Sequence, residues 1–132
     1  MNVTFHGLQQ FAGPMKGTRT ESISSIDGLF RSLRGRKPFL FEMRGDNGIT
    51  LTIGYSDECG TVQYGSSDGL PPYLMAVAND AADDSDFVEF LSGGTPTPIS
   101  RRFCLPIERV GKIAADFLAR GNKSESVIWE EI

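Results

Sequence analysis

The middle of this 132-residue sequence lacks basic residues. Residues 45–100 contain no lysine or arginine, whereas the net charge of the whole chain is only −4. Because an anionic surface repels phosphate groups, this composition argues against nucleic acid as a partner and favours a basic one. A surface that serves only solubility usually mixes both signs, although solvated acidic turns remain the alternative explanation.

Histidine and cysteine are also scarce. His6 is the single histidine, and Cys59 and Cys104 are the only cysteines. These counts argue against a Ser-His-Asp or Cys-His catalytic arrangement and against a four-ligand zinc site. Two cysteines are too few for a disulfide scaffold, and we interpret them as structural free thiols, with one disulfide as the alternative. We therefore expect no catalytic residue, no metal and no cofactor.

Long hydrophobic runs are absent too. No segment approaches the roughly 18 apolar residues of a membrane helix, and residues 1–6 lack the features of a signal peptide. We expect a cytoplasmic protein that does not bind membranes. The 39% hydrophobic content argues against disorder, and the length favours one domain over residues 1–132, with a poorly patterned segment at 1–17.

Two segments are typical of amphipathic helices. In residues 24–35, apolar side chains recur at helical spacing before Gly35, and basic residues occupy the last turn. Residues 106–120 begin with Pro106, carry one apolar stripe and stop before Gly121.

Strand patterns occupy most of the remaining sequence. An antiparallel hairpin is predicted from two alternating runs, 39–44 and 49–54, joined by the turn sequence 45–48. Further strands are predicted at 61–64, 73–77, 87–91 and 126–131. The fold class is therefore α+β, with a single antiparallel meandering sheet and two helices packed on one face. An unpaired edge strand would permit a weak homodimer, so we expect a monomer or a weak homodimer.

Other motifs give weak functional signals. Residues 65–69 have the composition of a phosphate-binding loop but lack its lysine, and residues 83–86 lack the spacing of an EF-hand. Pairs of carboxylates leave open a hydrolase that uses two acids. Trp129, the only tryptophan, is interpreted as a core residue that fastens the last strand, with an exposed binding residue as the alternative.

The order of these features resembles a known family. The features follow one another over residues 18–132. They are a helix, a hairpin, the stretch 64–69 leading to Pro72-Tyr73, the segment Val88-Glu89-Phe90, a second helix opened by residues 105–108, and the ending Val127-Ile128-Trp129-Glu130-Glu131. In this order they resemble immunity protein family one of bacterial polymorphic toxin systems. No counterpart is found before Thr18.

The resemblance implies a non-enzymatic inhibitor that neutralises a cognate toxin domain in competition between bacteria. Several members are paired with nucleic-acid deaminase toxins, whose basic substrate cleft an acidic inhibitor would suit. From the charge pattern, we expect the toxin-binding residues to be Asp57, Glu58, Asp68, Tyr73, Asp80, Asp83, Asp84, Asp86 and Glu89. A small carboxylate-dependent enzyme and a generic acidic adaptor domain are the alternatives.

Overall fold

A computed structural model of the protein describes residues 3–7, 19–20, 23–78 and 86–132. Within these residues there are two α-helices, α1 (Ile23–Ser32) and α2 (Ile107–Arg120). The strands are β1 (Val3–His6), β2 (Arg19–Thr20), β3 (Phe39–Gly45), β4 (Ile49–Tyr55), β5 (Cys59–Ser66), β6 (Leu74–Val77), β7 (Phe87–Ser92), β8 (Thr95–Ser100), β9 (Leu105–Pro106) and β10 (Ile128–Glu131).

Both helices form where the apolar spacing predicts them. Ile26 and Leu29 of α1 and Leu33, directly after it, follow one another at helical spacing, and all three are buried. Helix α2 ends at Gly121, which adopts a left-handed conformation with φ of 74° and donates its N–H to the Phe117 carbonyl. Glycine adopts this conformation without the steric cost of a Cβ atom, which explains why the helix ends there.

The predicted central hairpin is confirmed. Strands β3 and β4 pair in antiparallel register from Phe39 opposite Tyr55 to Arg44 opposite Thr50. Along β3, the side chains of Phe39, Phe41 and Met43 are buried and alternate with partly exposed ones, which is the period of two that marks a half-buried strand.

The sheet is mixed, so the prediction of a single antiparallel meander is wrong. The strand order is β10-β6-β5-β4-β3-β1-β2, with β7 joined to β3 and β8, and β9 joined to β5. Strand β7 pairs with β3 in parallel, with Leu91 opposite Phe39. The Leu91 N–H donates a hydrogen bond to the Pro38 carbonyl at 2.9 Å, and this bond holds β7 beside the start of β3. The α+β class itself is confirmed.

Four of the strands in the described residues, β1, β2, β8 and β9, lie where no strand was predicted. Strand β1 lies within residues 1–17, the segment whose sequence is poorly patterned, and its Val3 and Phe5 are fully buried. Strand β8 contains Pro96 and Pro98, which lower strand propensity and are tolerated only at edges. Strand β9 has two residues, too few to show a period.

The hydrophobic core lies between the helices and one face of the sheet. Phe30 of α1 packs edge-on against Phe41 and Tyr55, with ring centroids 6.5 and 5.7 Å apart. Phe117 and Leu118 of α2 belong to the same buried cluster. The two helices therefore pack on one face of the sheet, as expected.

Candidate functional site

The face of the sheet turned away from the helices is the first candidate surface. We call it the open face. Because side chains alternate along a strand, residues between the buried ones point to this side. It is formed by Leu40, Glu42 and Arg44 of β3, Thr50 and Thr52 of β4, Gln63 and Gly65 of β5, and Met75 of β6.

Three adjoining grooves cross the open face. Their volumes are about 270, 300 and 240 Å³. Thr52 lines all three, Leu40 lines the first two and Gln63 the last two. The grooves are therefore parts of one concave surface centred on β4.

The middle groove has an apolar wall. We call it the apolar groove, and its apolar side chains are Leu40, Met75, Ile99, Phe103 and Ile132. Ile132 is 57% exposed, and its N–H donates to the Tyr73 carbonyl at 2.9 Å. The Ile132 side chain therefore extends the apolar wall of this groove to its mouth.

The third groove is polar and lies at the opposite end of β4. The Arg44 guanidinium donates to the Glu42 carboxylate at 2.6 Å across its floor. The Thr50 and Ser67 hydroxyls are 2.7 Å apart, and the Tyr73 hydroxyl donates to the Gly69 carbonyl. These bonds fix the β5–β6 connection against the edge of the open face.

A larger groove lies between the helices. This helical groove has a volume of about 690 Å³. It is lined by Asp27, Phe30 and Arg31 of α1, by Arg34 and Asp57, and by Glu108, Gly111, Lys112, Ala115 and Asp116 of α2, among others. At its end the Tyr55 hydroxyl donates to the Asp57 carboxylate at 3.1 Å. Burial, together with this bond and the negative charge of Asp57, raises the pKa of Tyr55 to about 12. The phenol is therefore protonated at neutral pH and does not act as a base.

Asp57 and Glu58, two of the residues predicted to bind a toxin, lie in the turn between β4 and β5. The Asp57 carboxylate accepts hydrogen bonds from the Gly35 N–H at 2.9 and 3.1 Å. It therefore secures the chain after α1, and this structural role accounts for an acid at that position. Glu58 is exposed.

Asp68 and Tyr73 lie at the other end of the same strands. Seven paired residues, at roughly 3.3 Å each, place them about 20 Å from Asp57. The Asp68 carboxylate accepts a hydrogen bond from the Leu70 N–H at 3.0 Å, and this bond, with a second from Ser66, lowers the pKa of Asp68. Asp68 and Tyr73 border the open face, whereas Asp57 and Glu58 border the helical groove.

Asp86 and Glu89 occupy a third position, on and before β7. Asp86 forms an ion pair with Arg101 at 2.9 Å, and Glu89 is exposed. Asp80, Asp83 and Asp84 lie outside the described residues. The structure thus distributes the described members of the predicted set over three places, and the assignment of all nine to toxin binding stays a prediction.

Charge differs between the two layers of the molecule. In the helical layer, residues 23–38 and 107–126, there are eight basic and four acidic residues. In the strand layer, residues 39–78, 86–106 and 127–132, there are three basic and nine acidic residues. The open face therefore belongs to the anionic layer, whereas the helical groove is lined by residues of both signs: Asp27, Asp57, Glu108 and Asp116 with Arg31, Arg34 and Lys112.

The described residues do not form a metal centre: none of their histidine, cysteine, aspartate and glutamate side chains come together in groups of three or more. Cys59 and Cys104 are free thiols, as predicted. Burial raises the pKa of Cys104 to about 12, and the neighbouring Cys59 contributes in the same direction. A thiol with so high a pKa is not a nucleophile at neutral pH.

Trp129 is confirmed as a residue that fastens the last strand. Its indole packs edge-on against Tyr64 with ring centroids 5.9 Å apart, and its Nε1–H donates to the Ser124 carbonyl at 2.9 Å. Ser124 is itself buried and donates to the Asp116 carboxylate at 2.6 Å. The loop after α2 and strand β10 are therefore joined by one hydrogen-bonded network.

Sequence reasoning missed the apolar groove. Its lining comes from β3, β6, the end of β8, the turn after β8 and the residue after β10, so no stretch of sequence displays it. The available signal was the apolar Ile99 in an otherwise polar run, together with the alternation of Leu40 with core residues.

Comparisons with known proteins identify the family. The family model described as immunity protein Imm1 matches residues 17–131. No curated protein matches the sequence. In the described part of the chain, neither helix is long and apolar enough to cross a membrane. The match covers most of the chain and begins one residue before the start expected from the resemblance, so this protein belongs to the Imm1 family of immunity proteins.

Proposed function

We propose that this protein binds one cognate toxin domain in the cytoplasm and neutralises it by covering the basic cleft that receives its substrate. It acts by binding, in a stoichiometric complex, and carries out no reaction of its own. The observation that carries this proposal is the match of an immunity-protein family to residues 17–131.

The charge distribution supports a basic target. Nine of the twelve charged residues in the strand layer are acidic. Complementary charge raises association rates by steering the two proteins before contact, and its effect weakens as salt increases. An inhibitor must bind its toxin faster than the toxin damages the cell, so fast association has a direct use here.

The proposed target is a nucleic-acid deaminase. The resemblance to immunity proteins paired with such toxins points to this class, and its chemistry fits an acidic inhibitor. A deaminase uses a zinc-bound water to replace an exocyclic amino group of a base, which it reaches through a surface that attracts phosphates. The acidic residues Asp57, Glu58, Asp68, Asp80, Asp83, Asp84, Asp86 and Glu89, with Tyr73, are the proposed contacts.

Coexpression with a toxin tests the proposal. The toxin domain encoded beside this protein is produced in a bacterial host with and without it, and growth is measured. We expect restored growth and an equimolar complex on size-exclusion chromatography. Persistent toxicity in the presence of abundant, folded protein would contradict the immunity role.

Inhibition by titration separates binding from catalysis. The toxin domain is incubated with single-stranded DNA or RNA, and ammonia release is followed as this protein is added. We expect release to stop at one molecule per toxin. Complete inhibition at a small fraction of that ratio would indicate that the protein is an enzyme, and a toxin that releases no ammonia would exclude the deaminase.

Charge reversal tests the electrostatic part. We expect the triple variant Asp83→Lys, Asp84→Lys, Asp86→Lys to associate about tenfold more slowly at low salt, with the difference shrinking at high salt. The control is Asp27→Lys, which reverses an exposed acid in the helical layer. Equal association rates for the parent and the triple variant at low salt would exclude steering by these residues.

A further inference from the structure

We propose that the open face is the docking surface for the toxin domain, and that the apolar groove receives one large apolar side chain from a basic surface of that toxin. This inference rests on the proposed function and adds the location of the interface. It assigns contact to Leu40, Thr52, Met75, Ile99 and Ile132, none of which belongs to the acidic set predicted from the sequence.

The shape of the open face fits a protein partner. Its three grooves adjoin along Thr52, and their volumes of about 240 to 300 Å³ suit single side chains. Protein interfaces concentrate binding in a few anchors that enter such pockets at the centre of the contact, surrounded by a polar rim. Here the apolar groove supplies the pocket, and the Glu42–Arg44 pair and Tyr73 supply the rim.

Two exposed apolar side chains border the same surface. Ile132 is 57% exposed at the mouth of the apolar groove. Leu70 is 61% exposed, in the connection whose Gly69 and Tyr73 line the polar groove. Phe87 and Ile128 are the other large apolar side chains that are exposed in the described residues. Apolar side chains beside a groove add to the surface that a protein partner can bury.

Charge complementarity identifies the chemistry of the occupant. Each arginine at the border of the open face forms an ion pair with a carboxylate: Arg44 with Glu42, Arg101 with Asp86, and Arg102 with Glu130. Their positive charges are therefore compensated within the protein. Asp68, in the loop after β5, adds a negative charge. A surface that bears lysine and arginine around an apolar side chain complements this arrangement.

The helical groove is the competing surface, and its charges are mixed. It is lined by the acids Asp27, Asp57, Glu108 and Asp116 and by the bases Arg31, Arg34 and Lys112, of which Lys112 is paired with Asp116. Matched variants in the two grooves therefore separate the two surfaces.

The open face is also rigid enough to act as a preformed surface. Its centre lies on β4, which pairs along its whole length with both β3 and β5. Residues on central strands are positioned more firmly than residues on loops, so less conformational entropy is lost on binding.

Matched variants test the location. Thr52→Arg places a long side chain at the point common to the three grooves, and Ala115→Arg places the same side chain in the helical groove. The probe is the purified toxin domain encoded beside this protein, and its dissociation constant is measured by isothermal titration calorimetry. We expect Thr52→Arg to weaken binding at least tenfold and Ala115→Arg to change it less than twofold.

Two further variants complete the test. The first tests the location of the docking site without altering a buried residue, and the second tests the charge of the partner. Ile132→Ser alters an exposed side chain, so the fold is expected to remain intact, and binding should weaken severalfold. Thr52→Glu should weaken binding less than Thr52→Arg, because a new anion attracts the basic partner while a new cation repels it. Thermal unfolding of each variant is measured in parallel.

The outcomes separate the docking site from the immunity role. If the parent protein does not bind the toxin domain, the proposed function and the docking site both fail. If the parent binds, and Thr52→Arg and Ile132→Ser bind as tightly, the docking site is wrong while the proposed function stands. A loss of binding in Ala115→Arg alone would place the toxin on the helices, and stronger binding by Thr52→Arg than by Thr52→Glu would exclude a basic occupant.

Discussion

The two faces of the sheet differ in what covers them and in the charge they carry. On one face, α1 and α2 bury the aromatic side chains of β3 and β4 and present a surface rich in basic residues. On the other, polar and apolar side chains line grooves within an anionic layer. The covered face contains most of the buried core, and the grooved face is the one that we propose to bind a partner.

The largest expected effect comes from the helical side. Phe117 of α2 is fully buried in the core, so Phe117→Ala should lower the free energy of unfolding by about 3–5 kcal/mol. Gln63→Ala, on the open face, should change it by no more than about 0.5 kcal/mol. Urea unfolding followed by circular dichroism measures both, and similar losses in the two variants would break the distinction between the faces.

An intermediate effect sharpens the comparison, since the open face has one tightly packed spot. A Cβ atom at Gly54 would lie 2.5 Å from the Thr61 hydroxyl and 3.1 Å from the Phe90 ring. We therefore expect Gly54→Ala to destabilise the fold by about 1–3 kcal/mol. Gly65→Ala on the same face is the control, because its Cβ atom would meet Tyr73 at an ordinary 3.8 Å. Equal stability of the two variants would contradict close packing of Phe90.

The smallest effect depends on pH and again belongs to the helical side. Burial opposes ionisation of Asp116, but hydrogen bonds from Ser124 and Lys112 outweigh it, so the pKa of Asp116 lies below its ordinary value of 3.8. The ionised carboxylate therefore stabilises the folded state at neutral pH. This stabilisation is lost as the pH falls from 3.8 through the lowered pKa of the folded protein.

Ser124→Ala tests this linkage. It removes the hydroxyl that donates to Asp116 and should lower the free energy of unfolding at pH 7 by about 1–2 kcal/mol. The variant should also lose less stability than the parent between pH 5 and pH 2. Unfolding in urea at several pH values measures the slope, and identical slopes in parent and variant would show that Asp116 is not responsible.

Local sequence patterns predicted the elements whose neighbours are close in sequence. The spacing of Ile26, Leu29 and Leu33 predicted α1, and the turn at residues 45–48 between alternating runs predicted the β3–β4 hairpin. In these cases the whole sequence pattern that specifies the element lies within one short segment. The family resemblance likewise depended on the order of such elements and was confirmed over residues 17–131.

Long-range pairing could not be predicted in the same way. The parallel contact of β7 with β3 joins Phe39 to Leu91, and β1 pairs with β3 across more than thirty residues. Nothing local in either segment specifies its partner. The two prolines of β8 also masked its strand character, since proline is unfavourable in strand interiors.

The candidate site shows the same limit. Asp57 and Asp68 are eleven residues apart in a segment without basic residues, and the sequence therefore predicts one anionic surface for both. The β4–β5 turn and the extended strand β5 instead place them at opposite ends of the sheet. Proximity in sequence is a poor guide to proximity in space once an extended strand intervenes.

Strand β1 has a consequence for how the folding unit is delimited. It precedes the residues matched by the family, yet Val3 and Phe5 are among the most deeply buried side chains, and the strand pairs with β3 along its length. A protein shortened to residues 17–131 would lose this pairing and leave the backbone of β3 available to strands from other molecules. Expression of the shortened form should therefore yield self-associating material, so the unit that folds is longer than the unit by which the family is identified.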